Sequence, residues 1–196
     1  MPQSSKPDPE TGLRARLVGV GVELVAREGV QALTLREIAR RAGVSHGAPR
    51  RYFPTHVELL SAIARRGFAD LAERATAAVG AGTASPREQV AELGRVYLEF
   101  ALANRGMYEL MFRHDLLESG HLGLRDTSMP LFGALVELVG RARPEADARV
   151  VAGALWANMH GIAQLWVWGS LQLATETEDF TPLLRAALDA HLGAEA

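Results

Sequence analysis

The residues best placed to do chemistry in this 196-residue chain lie between Thr34 and His56, in the stretch TLREIARRAGVSHGAPRRYFPTH. Thr34 and Glu37 have the spacing of a capping box, in which each side chain covers a backbone N–H of the other. Leu35, Ile38 and Ala39 make a short apolar stripe, while Arg36, Arg40 and Arg41 stay polar. Ala42-Gly43-Val44 is expected to end this helix, because Gly43 tolerates the positive φ of a tight turn. Ser45 is expected to cap a second helix with Pro49 in its first turn, where a missing N–H costs little. At about 100° per residue, Ala48, Pro49, Tyr52 and Phe53 fall on one face and His46, Gly47, Arg50 and Arg51 on the other. Two adjacent arginines, a histidine and a clearing glycine suit the edge of a DNA groove, where guanidinium groups reach base edges and phosphates. The same spacing also fits a solvated helical hairpin whose arginines serve solubility.

No comparable constellation for enzyme chemistry stands out. The histidines at 46, 56, 114, 121, 160 and 191 include no pair with the i, i+4 spacing of a helical zinc site. There is no phosphate-binding glycine loop and no strand to present one, so no metal and no cofactor is expected. The absence of cysteine rules out disulfides and thiolate metal sites and fits a reducing cytoplasm.

The candidate helix pair must be positioned by its surroundings, and these read as helix throughout; nothing alternates with period two. The expected architecture is all-α. Residues 1–10, with three prolines and no apolar run after Met1, are expected to be a disordered tail without a signal peptide. Residues 11–71 form a three-helix domain around the motif at 34–53, and residues 72–196 a helical body. Charge divides the same way. Residues 11–71 carry ten arginines against five acids, the tail is −1, and with −2 overall the body carries −6. A basic head on an acidic body is the electrostatic pattern of a DNA-binding domain on a partner that avoids DNA.

Thr55 to Glu58 is a second capping box, opening a helix that leaves the head and enters the body. Ser85-Pro86-Arg87-Glu88 is a third. A helix follows over Met107–Leu117, another over Met129–Ala142, and Pro144 is expected to open a long one. From Val150 to Ala174 no residue is charged. Asn158, His160, Gln164 and Gln172 argue against a membrane span and for burial on two sides. Leu155, Met159, Ile162 and Trp166 form the core stripe. Gly153, Ala157 and Gly161 form a small-residue stripe that lets a partner helix approach. With Leu184 and Leu188 of a last helix, these predict a homodimer through a four-helix bundle.

With its flanks, RLVGVGVELVAREGVQALTLREIARRAGVSHGAPRRYFPTHVELL resembles the N-terminal domain of the TetR/AcrR transcriptional repressors. Leu17, Gly21, Leu24, Val25, the closing Gly29, the Ile38-Ala39…Ala42-Gly43-Val44-Ser45 core and Tyr52-Phe53 carry the match. Trp156, His160 and Gly161 are similar to the Trp…His-Gly pattern of a ligand-domain subgroup. The chain departs where the family commonly has Leu-Tyr, here Pro49-Arg50, and where many members have lysine, here His56. The resemblance implies a repressor released from double-stranded operator DNA by a small-molecule effector. Thr34, Arg36, Ser45, His46, Gly47, Arg50, Arg51, Tyr52 and His56 would meet DNA. Trp156 and His160 would line a largely apolar effector pocket, with Tyr97, Phe100, Met107, Met111, Phe112, Met129 and Phe132 from preceding helices. Two alternatives differ in class: a DNA-binding regulator without effector control, and a helical small-molecule carrier that does not bind DNA.

Overall fold

The computed structural model describes residues 9–80, 84–118 and 123–194, and among them every regular element is helical. They are α1 (Pro9–Glu28), α2 (Leu35–Arg41), α3 (Ala48–Tyr52), α4 (His56–Val79), α5 (Pro86–Ala103), α6 (Arg105–Met111), α7 (His114–Glu118), α8 (Leu124–Ala142), α9 (Ala148–Val167), α10 (Ser170–Thr175) and α11 (Thr181–Leu192), with a 3-10 turn at Val30–Ala32. Most of the expected tail lies outside the described residues, but Pro9 and Glu10 already belong to α1.

The chain divides into two compact units, though not by a single cut after Leu71. One holds the residues up to Gly67 together with Gly106–Leu124, the other Phe68–Arg105 and residues from Arg125 onward. In the first unit, Leu17 and Leu24 of α1, Ile38 of α2, Phe53, and Leu59, Leu60 and Ile63 of α4 are all buried. Gly21 brings α1 against Ile63, where a larger residue would overlap the isoleucine. Helix α6 joins this unit through two glycines. A methyl on Gly106 would overlap the Val25 carbonyl oxygen, and one on Gly67 would lie 2.6 Å from the sulfur of Met111 and 2.7 Å from Met107. Met107 and Met111 are therefore packing residues of this unit.

The second unit is built around α5, α9 and α11. Gly94 of α5 admits Leu184 of α11 and Met159 of α9. Leu155, Met159, Ile162 and Trp166 are buried, as the core stripe predicts. Arg87 pairs with Asp189 and donates to the Gly193 carbonyl at 2.5 Å, and Arg143 donates to the His191 carbonyl at 3.0 Å, so both ends of α11's last turn are tied down. Among the described residues no helix is long and apolar enough to cross a membrane.

Four expected boundaries are corrected. The long helix starts at Ala148, because Asp147 rather than Pro144 caps it, accepting from the N–H groups of Arg149 and Val150. The uncharged run is not one helix: Gly169, at φ 79°, ends it and α10 follows. The expected 107–117 helix is two, broken after Met111. Helix α8 begins at Leu124, so Pro130 lies inside it and not in its first turn.

Gly106→Ala is expected to destabilise the chain by about 1–3 kcal/mol, since a backbone carbonyl cannot yield. Gly67→Ala should cost less, because methionine ends can swing aside. Urea unfolding followed by circular dichroism ranks the two; equal midpoints would contradict the packing described.

Candidate functional site

The turn between α2 and α3 is closed by backbone alone. Gly43 adopts φ 65°, its N–H donates to the Arg40 carbonyl at 3.2 Å, and the Val44 N–H reaches back to Ala39 at 3.1 Å. This is a Schellman closure, and only a residue at ease with positive φ completes it without strain. Ser45 does not cap α3: the N-cap is Gly47, without a side-chain bond, and the Ala48 N–H instead donates to the Ser45 carbonyl. Thr34 does cap α2, its Oγ1 accepting from the Glu37 N–H at 3.2 Å. The reciprocal half of that capping box is missing, because the Glu37 carboxylate turns to two arginines instead.

Those arginines are the main electrostatic feature of the head. Arg40 binds both oxygens of Glu37, at 2.8 and 2.6 Å, and Arg41 bridges Glu37 at 2.7 Å and Glu28 at 2.5 Å. The guanidinium groups of Arg40 and Arg41 hold the Glu37 carboxyl at a pKa of about 2. Arg36, Arg50 and Arg51 are exposed and enter no such pair among the described residues. His46, Gly47, Arg50 and Arg51 are all exposed, and space beside Gly47 is open. Pro49 and Phe53 are buried, Ala48 and Tyr52 half-buried. The wheel's division into inward and outward faces therefore matches the fold. Arg14 lies over the Phe53 ring, its guanidinium carbon 5.0 Å from the centroid.

His56 differs from its expected role. Its Nε2 lies 2.5 Å from the Leu33 carbonyl. A carbonyl only accepts, so this nitrogen carries the proton and a neutral ring has no N–H left for a phosphate. The ring instead joins the start of α4 to the backbone just before Thr34.

Of the nine expected pocket residues, four come together in the second unit. Tyr97 Oη and His160 Nδ1 are 2.8 Å apart, and the Trp156 ring lies 6.1 Å from both His160 and Phe132. Arg149 sits over Phe132. The remaining five do not join them. Met107 and Met111 pack on Gly67 in the other unit, where Phe112 lies 4.9 Å from Tyr108. Phe100 is in the core with the Arg74 guanidinium 5.5 Å from its ring, and Met129 is half exposed. Alternating helix faces of this composition give no cue to which aromatic residues converge.

The expected partner face is likewise only half placed as read. Gly153 and Gly161 have nothing beside them and Ala157 is exposed. Leu184 and Leu188 are corrected: at 6% and 5% exposure they fill the chain's own core against Gly94 and α9. The outward residues near Gly161 are Leu165, Leu183 and Ala186, which line a shallow groove with Asn158.

Comparisons with known proteins find two family matches along the chain. Residues 90–190 match the family described as tetracyclin repressor-like, C-terminal domain, and residues 17–63 that of bacterial regulatory proteins, tetR family. The HTH-type transcriptional regulator BetI of Rhizobium meliloti (strain 1021) is 40% identical over 83 residues, so the match spans 42% of this chain and only 40% of that protein. The nucleoid occlusion factor SlmA of Glaesserella parasuis serovar 5 (strain SH0165) is 28% identical over 168 residues, 79% of each chain. A solved structure of a protein of unknown function from Rhodococcus sp. RHA1 aligns with a TM-score of 0.74 at 27% identity, covering 98% of this chain and 97% of that one.

Burial lowers the His160 pKa from its ordinary 6.5. The unfolded chain therefore takes up a proton that the folded ring resists, and stability is lost as pH falls below 6.5 toward the folded value. Melting temperatures at pH 7.5 and 5.5 should fall further apart for the wild type than for His160→Gln. Equal drops would show that the ring is not shielded.

Proposed function

Since the chain belongs to the family of tetracyclin repressor-like bacterial regulatory proteins, which bind DNA and regulate transcription, we propose that it is a dimeric repressor released from a roughly palindromic operator by a small-molecule effector. The observation that carries the DNA-binding face is the contrast among its arginines. Arg40 and Arg41 are neutralised by Glu37 and Glu28, while Arg50 and Arg51 have no ion pair among the described residues and stand beside an open Gly47. In this reading α3 enters the major groove, with Arg50 and Arg51 at base edges or phosphates and Thr34, Arg36, Ser45, His46 and Tyr52 around them. His56 acts by holding the head together, through Leu33.

The second copy is proposed to cover α9 and α11 through Gly153, Ala157 and Gly161, with Leu165, Leu183 and Ala186 replacing Leu184 and Leu188 in that role. Among the described residues, five of the six large exposed apolar side chains, Val150, Trp156, Leu165, Trp168 and Leu173, lie on α9, at its end or on α10, which supports a covered surface there. Tyr97, Phe132, Trp156 and His160 are the proposed effector contacts. Placement in the Trp-His-Gly subgroup rests on Trp156, His160 and Gly161 alone. A second reading is a DNA-binding protein without effector control; the chain is also similar to a nucleoid occlusion factor. Operator release by a small molecule separates the two.

In anisotropy titrations on the DNA upstream of its gene, an Arg50→Ala, Arg51→Ala double variant should lose about 1–3 kcal/mol or more of specific binding. Arg40→Ala should change little, because that guanidinium already serves Glu37. The opposite ranking would sink the proposed face. Light scattering on a sizing column should give twice the 21.1 kDa chain mass, and Gly161→Leu should shift it toward the monomer by steric clash. A wild-type monomer at micromolar concentration contradicts the dimer.

A further inference from the structure

Between the last turns of α4, the start of α5 and the face of α8 lies a cleft of about 440 Å³ that holds none of the nine expected pocket residues. Its walls are apolar, from Ala72, Ala75, Val79, Leu93, Leu131 and Leu138. Gln89, Thr76 and Thr127 interrupt them with polar side chains. Gln89 is only 9% exposed, and its Oε1 is buried with no hydrogen-bond partner among the described residues. A buried amide oxygen left unpaired is costly, and native folds keep few of them. The nearby Thr76 hydroxyl does not relieve it, because it donates to the Ala72 carbonyl at 2.8 Å. The exposed Glu137 and Arg141 add one charge of each sign to the lining, so the cleft selects no net charge.

We propose that this cleft binds an uncharged, largely apolar molecule whose single O–H or N–H group donates to Gln89 Oε1, as an alcohol, phenol or secondary amide does. The volume lies in the range of small-molecule sites, and the pattern is theirs: largely apolar walls with a few placed polar groups, of which the unpaired Gln89 oxygen is the one that fixes orientation. A ketone, ether or carboxylate of the same skeleton offers only acceptors and leaves the amide oxygen unpaired. The site is separate from the Tyr97–His160–Trp156 cluster and does not depend on the chain's binding DNA. If the chain is an effector-controlled regulator, the molecule held here would be an effector, and it would lie against α4, the helix that begins at His56 in the head.

The test uses the full chain with two probes of one skeleton, 2-naphthol and 2-methoxynaphthalene, titrated while amide shifts are followed by NMR. 2-Naphthol should bind in the roughly millimolar range of a fragment and move the amides of Thr76, Gln89 and Leu93. Its preference over the methoxy compound should be about threefold to tenfold, the worth of one neutral hydrogen bond. Gln89→Leu should reduce that ratio to about one without lowering the melting temperature, because it removes an orphaned acceptor. Should that variant fail to fold, Ala75→Leu, which fills the cleft and leaves Gln89 in place, should abolish binding of both probes. The proposal is overturned if neither probe binds, if the methoxy compound binds as well as the naphthol, or if the preference survives Gln89→Leu. Shifts confined to Tyr97, Trp156 and His160 also overturn it, while leaving the regulator reading intact. Failure to bind DNA would remove the regulator reading and leave the cleft standing.

Discussion

The presentation of α3 depends on three residues of backbone. Gly43 at positive φ allows the Arg40 and Ala39 carbonyls to be satisfied by the two N–H groups that follow α2, and this sets the direction in which the chain leaves the first helix. A five-residue helix has little stability of its own. Helix α3 persists because Pro49 and Phe53 are buried in the head. That burial turns Arg50 and Arg51 outward. The arginine face is thus a consequence of one turn and two buried side chains.

Charge in the head is sorted by short-range geometry. Glu37 stands one turn before Arg40 and Arg41 on α2, and Glu28 ends α1 close enough to share Arg41. Exposed pairs of this kind add little stability, but they determine which cations remain available to an anionic partner. The formal excess of arginine in the first third of the chain therefore overstates the charge that can meet DNA. Arg14, over the Phe53 ring, is a further cation engaged within the fold.

In the second unit the decisive constraint is close helix approach. Gly94 lets Met159 and Leu184 meet α5, which seats α9 and α11 by their bulky sides and leaves the glycine and alanine side of α9 bare. A helix with large residues on one side and small ones on the other can serve the chain's own core and still admit a second helix at short distance. The uncovered apolar residues of α9 and α10 follow from the same seating.

Helix content, the basic first third and the outward face of α3 were all legible in the residues. They follow from local rules: apolar spacing, a glycine where φ must be positive, and proline and small polar residues at helix starts. The Trp156–His160 pair was legible for the same reason, being one turn apart on one helix. Tertiary structure alone decided what depends on neighbours distant in sequence. Met107 and Met111 belong with Gly67 and not with His160; Leu184 and Leu188 face inward because Gly94 leaves room for α11. His56 spends its N–H on Leu33, twenty-three residues away, and Glu37 gives its carboxylate to arginines instead of closing a capping box. Gln89 looks like any polar residue in a helix's first turns until α4 and α8 enclose it. Periodicity tells which side of a helix is apolar, but only packing decides which apolar side meets which and which polar atom is left without a partner.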